Sequence, residues 1–210
     1  MKQYDLYLFD FDGTLVDSLE SLVYVFAHSF QDIGISVSRE EVLAFSRQPI
    51  EDSYKAKGAK LEDVDYFVKQ LNLYLNSREA VELTALFPDT IPFIRYIIDN
   101  HIPCGIVTSN NVPHVKEVLA FFHIPLDTFI VYTGNQEAKE FKPSPEPLLK
   151  GLKMAGFKGH NHRVAYIGDA LNDTIAANNA KVQAILIDRV NAFEDDQEYI
   201  RISSLMDLFK

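Results

Sequence analysis

Cysteine is nearly absent from this chain of 210 residues, with Cys104 alone. A single thiol excludes a disulfide framework and a cysteine-rich zinc site. Positive charge is also scarce. Lys and Arg number 20 against 30 Asp and Glu, a net charge of −10 at pH 7. So acidic a surface is a poor partner for nucleic acid or an anionic membrane. It would also repel an anionic substrate, unless a site concentrates positive charge locally. No apolar run approaches the ~18 residues of a membrane-spanning helix. The opening residues Met1-Lys2-Gln3-Tyr4-Asp5 lack the apolar core of a signal peptide. The expectation is a soluble cytoplasmic protein. Internal repeats are missing, as are GxxxxGK[ST], GxGxxG and HExxH, the commonest nucleotide and zinc signatures.

What is present describes a globular protein. Hydrophobic residues make up 47% and charged residues 24%, which is ordinary for a packed soluble domain. The length exceeds the ~150 residues of an average domain and falls short of two, which favours one core carrying a sizeable insertion. Short apolar runs at Leu6–Phe9, Cys104–Val107, Thr128–Tyr132, Val164–Ile167 and Ala184–Ile187 read as strands. Helical patterns separate the later ones. This βαβα alternation predicts a parallel sheet with helices on both faces, buried on each side. Ser144 and Pro145 predict a helix with Ser144 as N-cap, ended by Gly156. Residues Tyr199–Lys210 read as a short edge strand and a final helix.

From Val16 to Phe87 the alternation stops. Leu19, Leu22, Val23, Phe26, Phe30 and Ile33 recur at helical spacing. Asp17 followed by Glu20 resembles a capping box. A second helix is expected around Glu62–Ala80, with Val64, Phe67, Val68, Leu71 and Leu75 on one face. The domain expectation is therefore an α/β core of residues 1–16 and 87–210, with a helical insertion of residues 17–86. The exits near Val16 and Leu86–Pro88 are candidate hinges.

Ligands of an open parallel sheet bind at the carboxyl ends of its strands. Three apolar runs end there in polar residues. Phe9 leads into Asp10-Phe11-Asp12-Gly13-Thr14, Val107 into Thr108-Ser109-Asn110, and Ile167 into Gly168-Asp169-Ala170-Leu171-Asn172-Asp173. A parallel sheet would crowd Asp10, Asp12, Asp169 and Asp173 together. Like charges ~4 Å apart repel by several kcal/mol at an effective dielectric of ~20. Relief comes from a raised pKa or a bound cation, and an all-oxygen cluster suits Mg²⁺ together with substrate phosphate. Lys142, just ahead of a helix, adds fixed positive charge. Thr108 and the amides after it add donors for phosphate oxygens. Together these describe a phosphoryl-transfer site.

These residues carry a resemblance. Asp10-Phe11-Asp12-Gly13-Thr14-Leu15-Val16-Asp17-Ser18 resembles the first motif, DxDGT, of haloacid dehalogenase superfamily phosphatases. Thr108 matches the second motif, Lys142 within Lys142-Pro143-Ser144-Pro145 the third, and Gly168-Asp169 through Asp173 the fourth, GDxxxD. All four occur in order along essentially the whole chain, and the look is of the phosphoglycolate-phosphatase-like branch. The resemblance implies a Rossmann-like core with a helical cap inserted after the first strand. It implies Asp10 as nucleophile, forming an aspartyl-phosphate, and Asp12 as general acid and base. Thr108 and Lys142 would hold the phosphoryl oxygens. Mg²⁺ would be held by Asp10, the Asp12 carbonyl and Asp169, with Asp173 supporting the metal or its waters. The cap would close over the leaving group and exclude water.

Asp12 argues against dehalogenases and phosphonate-cleaving relatives, which lack a carboxylate there. Sugar-phosphate mutases of this cap type usually carry histidine where this chain has Leu22. Lys181 departs from the glycine that relatives often carry after the fourth-motif helix. Ser109 and Asn110 are candidate substrate ligands or a helix-capping turn. Arg47, in Ser46-Arg47-Gln48-Pro49, is a candidate for an anionic substrate tail. The reading is a Mg²⁺-dependent phosphatase of small phosphorylated metabolites, phosphoglycolate or a sugar phosphate, acting as a monomer or homodimer. The rivals are a β-phosphoglucomutase-type phosphomutase, a pyrophosphatase or nucleotidase, and a non-catalytic phosphate-responsive binding module.

Overall fold

The computed structural model describes residues 3–45, 50–60, 64–193 and 199–210. Arg47 lies outside them. Two compact units emerge, one of residues 1–16 and 86–210, the other of residues 17–85.

The first unit is built on six strands: β1 (Leu6–Phe9), β4 (Cys104–Val107), β5 (Tyr132–Thr133), β6 (Val164–Gly168), β7 (Gln183–Ile187) and β8 (Ile200–Ile202). They lie in the order β5-β4-β1-β6-β7-β8, every pair parallel. The central strands are buried along their whole length. Helices of both sheet faces supply the cover a parallel sheet needs: α6 (Thr90–Asp99), α7 (Val112–Phe121), α8 (Glu146–Met154) and α9 (Leu171–Asn179). On one face Leu148 and Leu152 of α8, with Ala176 and Ala177 of α9, join Leu6, Leu8, Val107, Val164 and Tyr166 in a single apolar cluster.

Three local expectations need correction. The run Thr128–Tyr132 does not form one strand. Leu126–Thr128 is a 3-10 turn after Pro125, Ile130 is 55% exposed, and β5 begins at Tyr132. Helix α8 starts one residue later than its proline suggests. Pro145 takes the N-cap position, while Ser144 Oγ accepts the Glu146 N–H at 3.2 Å. The final helix is a 3-10 turn, Leu205–Phe209. Gly156 ends α8 at φ +65°, and Lys181 takes φ +59° after α9, the left-handed conformation that glycine adopts more easily.

The second unit is helical: α1 (Leu19–Gln31), α2 (Arg39–Phe45), α3 (Ile50–Ala56), α4 (Val64–Leu75) and α5 (Arg78–Glu82). Its interior is aromatic. Phe26, Phe30, Phe45, Tyr54 and Phe67 are buried together, with Phe30 and Phe67 centroids 4.6 Å apart. The expected long second helix breaks after Leu75, and Ser77 caps α5 by accepting the Ala80 N–H. The Asp17–Glu20 capping box does not form. Ser18 is the N-cap without a side-chain bond, and Glu20 pairs with Arg39. The chain leaves and re-enters the α/β unit through the short pair β2 (Val16–Asp17) and β3 (Ala85–Leu86).

Candidate active site

Parallel register sets the strand ends level. Phe9 stands opposite Ile106 on one side and Ile167 on the other. The next residues along each chain are therefore delivered to one edge. Asp10 is anchored by its N–H, which donates to Ile167 O at 2.8 Å, and Thr108 by its N–H to Thr133 O at 2.9 Å.

Lys142 reaches this edge and is buried there. An ammonium has three donors, and each finds an acceptor: Asp173 Oδ1 at 2.6 Å, Asp10 Oδ2 at 3.0 Å and Tyr166 Oη at 3.1 Å. Tyr166 spends its one hydrogen on Val107 O at 2.7 Å, so toward Lys142 it acts as acceptor. Asp173 is completed by the Ala170 N–H, donated to Oδ2 at 3.0 Å. Burial works to lower the Lys142 pKa, but Asp10 and Asp173 hold it well above the usual lysine value. The ammonium is a permanent charge.

Asp169 closes the cluster. One oxygen each of Asp10, Asp169 and Asp173 lies within 4.8 Å of the others. Gly13 makes this approach possible. It sits at φ +72°, and a Cβ there would lie 2.3 Å from Asp169 Oδ2. Three carboxylates against one ammonium leave two negative charges uncompensated. Burial first, then Asp173 and Asp12 against the opposing Lys142, raise Asp10 to about 7. Burial, Asp173 and Asp10 raise Asp169 to about 8. Asp10 Oδ1 and Asp12 Oδ1 are buried without a hydrogen-bond partner among the described residues. The orphaned Asp10 Oδ1 and the surplus negative charge of the Asp10, Asp169 and Asp173 cluster fit a divalent cation such as Mg²⁺.

The remaining predicted residues fall as follows. Asp12 Oδ2 accepts from Asn110 Nδ2 at 2.9 Å. Thr108 is buried, and its Oγ1 accepts the Asn110 N–H at 3.1 Å. Ser109 is exposed. Neither Ser109 nor Asn110 caps α7; Asn111 does, accepting the His114 N–H at 2.8 Å. Asp10, Asp169, Asp173 and Lys142 thus share direct neighbours, and Asp12 is joined to the Thr108 segment through Asn110. Tyr166 escaped sequence reading because it stands within an apolar strand, where an aromatic passes for core. Its signal was the single hydroxyl in Val164–Ile167, a group that requires a partner once buried.

The chain is 26% identical to the pyrophosphatase PpaX of Oceanobacillus iheyensis over 86% of its length and 81% of the relative's. It is 27% identical to a phosphoglycolate phosphatase of Haemophilus influenzae, over 85% of this chain and 83% of that one. A crystal structure of a haloacid dehalogenase-like hydrolase from Bacteroides fragilis superposes with a TM-score of 0.85 at 27% identity, covering 98% of this chain and 100% of the other. The match to the haloacid dehalogenase-like hydrolase family spans residues 7–187, and the chain belongs to that family.

Proposed function

We propose that this hydrolase is a Mg²⁺-dependent phosphatase that cleaves a small phosphate monoester through a phosphorylated Asp10. The observation that carries the reading is the Lys142 ammonium shared between Asp10 and Asp173, with Asp169 beside them, at one edge of a parallel sheet.

Asp10 is the nucleophile. Lys142 holds Oδ2, and Oδ1 has no hydrogen-bond partner among the described residues. Attack of this carboxylate on phosphorus forms the acyl-phosphate bond as the ester P–O bond breaks. The departing oxygen takes a proton from Asp12. A water then attacks the same phosphorus, Asp12 takes the proton that water sheds, and inorganic phosphate leaves with Asp10 restored. Splitting one displacement into two lowers each barrier, and a positioned acid–base contributes typically ~10²–10⁴-fold. Thr108 Oγ1, the Ser109 N–H and the Ser109 hydroxyl are the donors for phosphoryl oxygens, with Lys142 as fixed countercharge, since the Asn110 and Asn111 N–H groups are already spent within the loop. Mg²⁺ would be held by Asp10, Asp169 and the Asp12 carbonyl, with Asp173 in support, and would neutralise the charge that otherwise repels a phosphate dianion. We assign to residues 17–85 the part of a cap that selects the leaving group. Arg47 is our candidate there for an anionic substrate tail.

The test is phosphate release from phosphoglycolate, sugar phosphates, nucleoside monophosphates and pyrophosphate, with Mg²⁺ and with chelator. Pyrophosphate belongs in the panel because of the PpaX similarity. The reading expects Mg²⁺-dependent release with a monoester as the best substrate. Release indifferent to chelator, or isomerised sugar phosphate without free phosphate, would contradict it.

A further inference from the structure

The sequence offers Asn110 as a substrate ligand or part of a helix-capping turn, and its side chain does something else. Nδ2 donates to Asp12 Oδ2 at 2.9 Å, and Oδ1 accepts the Asn111 N–H at 2.7 Å. The amide has only one workable orientation. Turned over, its NH₂ would face a backbone N–H and its carbonyl would face a carboxylate, so both contacts would be lost.

The backbone beneath it is held as firmly. The Asn110 N–H donates to Thr108 Oγ1 at 3.1 Å, and its carbonyl accepts the Asn135 N–H at 3.0 Å. Gly134 permits that approach, since a Cβ there would lie 2.6 Å from Asn110 O. Asn110 and the Asp12 side chain are both on the α/β unit, and Asn110 is itself buried.

We infer that Asn110 is a positioning residue for Asp12, and that it reserves Oδ1 as the oxygen that carries the catalytic proton. The amide can only donate toward Asp12, so a proton on Oδ2 would compete with the bond it makes. Oδ1 is buried and has no hydrogen-bond partner among the described residues. The proton on Oδ1 passes to the departing ester oxygen as the P–O bond breaks, and the proton shed by the attacking water returns to Oδ1. This inference rests on Asp12 being the acid and base of the proposed reaction. It assigns Asn110 to leaving-group protonation and not to phosphate binding.

The two roles separate by leaving group. An aliphatic alkoxide needs a proton to depart, whereas p-nitrophenolate does not. The experiment measures kcat/KM, which reports steps through leaving-group departure, for phosphoglycolate or the fastest-cleaved sugar phosphate of the panel and for p-nitrophenyl phosphate. The proteins are wild type, Asn110→Ala, Asn110→Asp and Asp12→Asn. Asn110→Asp keeps an acceptor for the Asn111 N–H while it removes the donor to Asp12, so it remains informative if Asn110→Ala is unstable. Asn110→Ala is expected to lose about 30- to 100-fold on the aliphatic ester and less than about 5-fold on p-nitrophenyl phosphate, a fraction of a full acid–base contribution. Asn110→Asp should show the same selectivity, and Asp12→Asn the same selectivity with a deeper loss. Equal losses on both esters in the Asn110 variants, or none, with Asp12→Asn still selective, would overturn the inference and leave the acid assignment standing. A non-selective Asp12→Asn would remove the acid assignment and this inference with it.

Discussion

The two units bury opposite kinds of matter. The α/β unit places Asp10, Asp173 and Lys142 inside, at the end of a sheet. The helical unit buries an aromatic cluster around Phe30, Tyr54 and Phe67, and keeps its ion pairs, such as Arg78–Glu82, at the surface. Burying unbalanced charge works against folding, because removing ions from water costs several kcal/mol each. A fold retains such a cluster where the charge performs chemistry. By that contrast the proposed reaction belongs to the α/β unit, while the helical unit is held together by packing.

The sharpest way to break the comparison is to remove one charge from the α/β unit. Asp10→Asn should lower turnover by at least about 10⁴-fold, as loss of a covalent nucleophile does, while circular dichroism stays native. Residual activity near wild type would end the nucleophile assignment. The corresponding change in the helical unit removes packing. Phe67 is fully buried, so Phe67→Ala should cost about 3–5 kcal/mol in denaturant unfolding. A cost below about 1 kcal/mol would mean the aromatic cluster is not a packed core.

A smaller effect tests the charge imbalance itself. Asp10 is raised to about 7 and Asp169 to about 8 from an ordinary 3.8. Between those values the folded chain holds protons that the unfolded chain has released. Stability without metal is therefore fullest below about pH 4 for these groups and is lost as pH rises through 7 and 8. Mg²⁺ requires the ionised carboxylates, so its thermal stabilisation over chelator should be larger at pH 8 than at pH 6. A gain independent of pH would contradict this. The smallest effect belongs to the surface. Arg78→Ala breaks an exposed i,i+4 pair and should change stability by no more than about 0.5 kcal/mol.

The same contrast governs what could be read from the sequence. Runs such as Leu6–Phe9 and Cys104–Val107 announce buried parallel strands, and the polar residue after each marks the carboxyl edge of the sheet. Helices α2 and α3 were not foreseen, because seven residues each is too short for helical periodicity to show. The run before β5 misled because apolar composition does not reveal that Ile130 points outward. Asn110 and Tyr166 gain their meaning from partners 98 and 59 residues away. No local pattern encodes contacts that form only when the sheet closes.

The central claim is that these separated segments form one phosphoryl-transfer site with Asp10 as the acceptor. It is tested most directly by intact-mass and peptide mapping of Asp12→Asn after brief exposure to Mg²⁺ and p-nitrophenyl phosphate, whose leaving group departs without a proton. The account predicts one added phosphoryl group, on Asp10, lost when Asp10 is also changed to Asn. Substrate turnover with no phosphoryl group on the protein, or with the group on another residue, would contradict it.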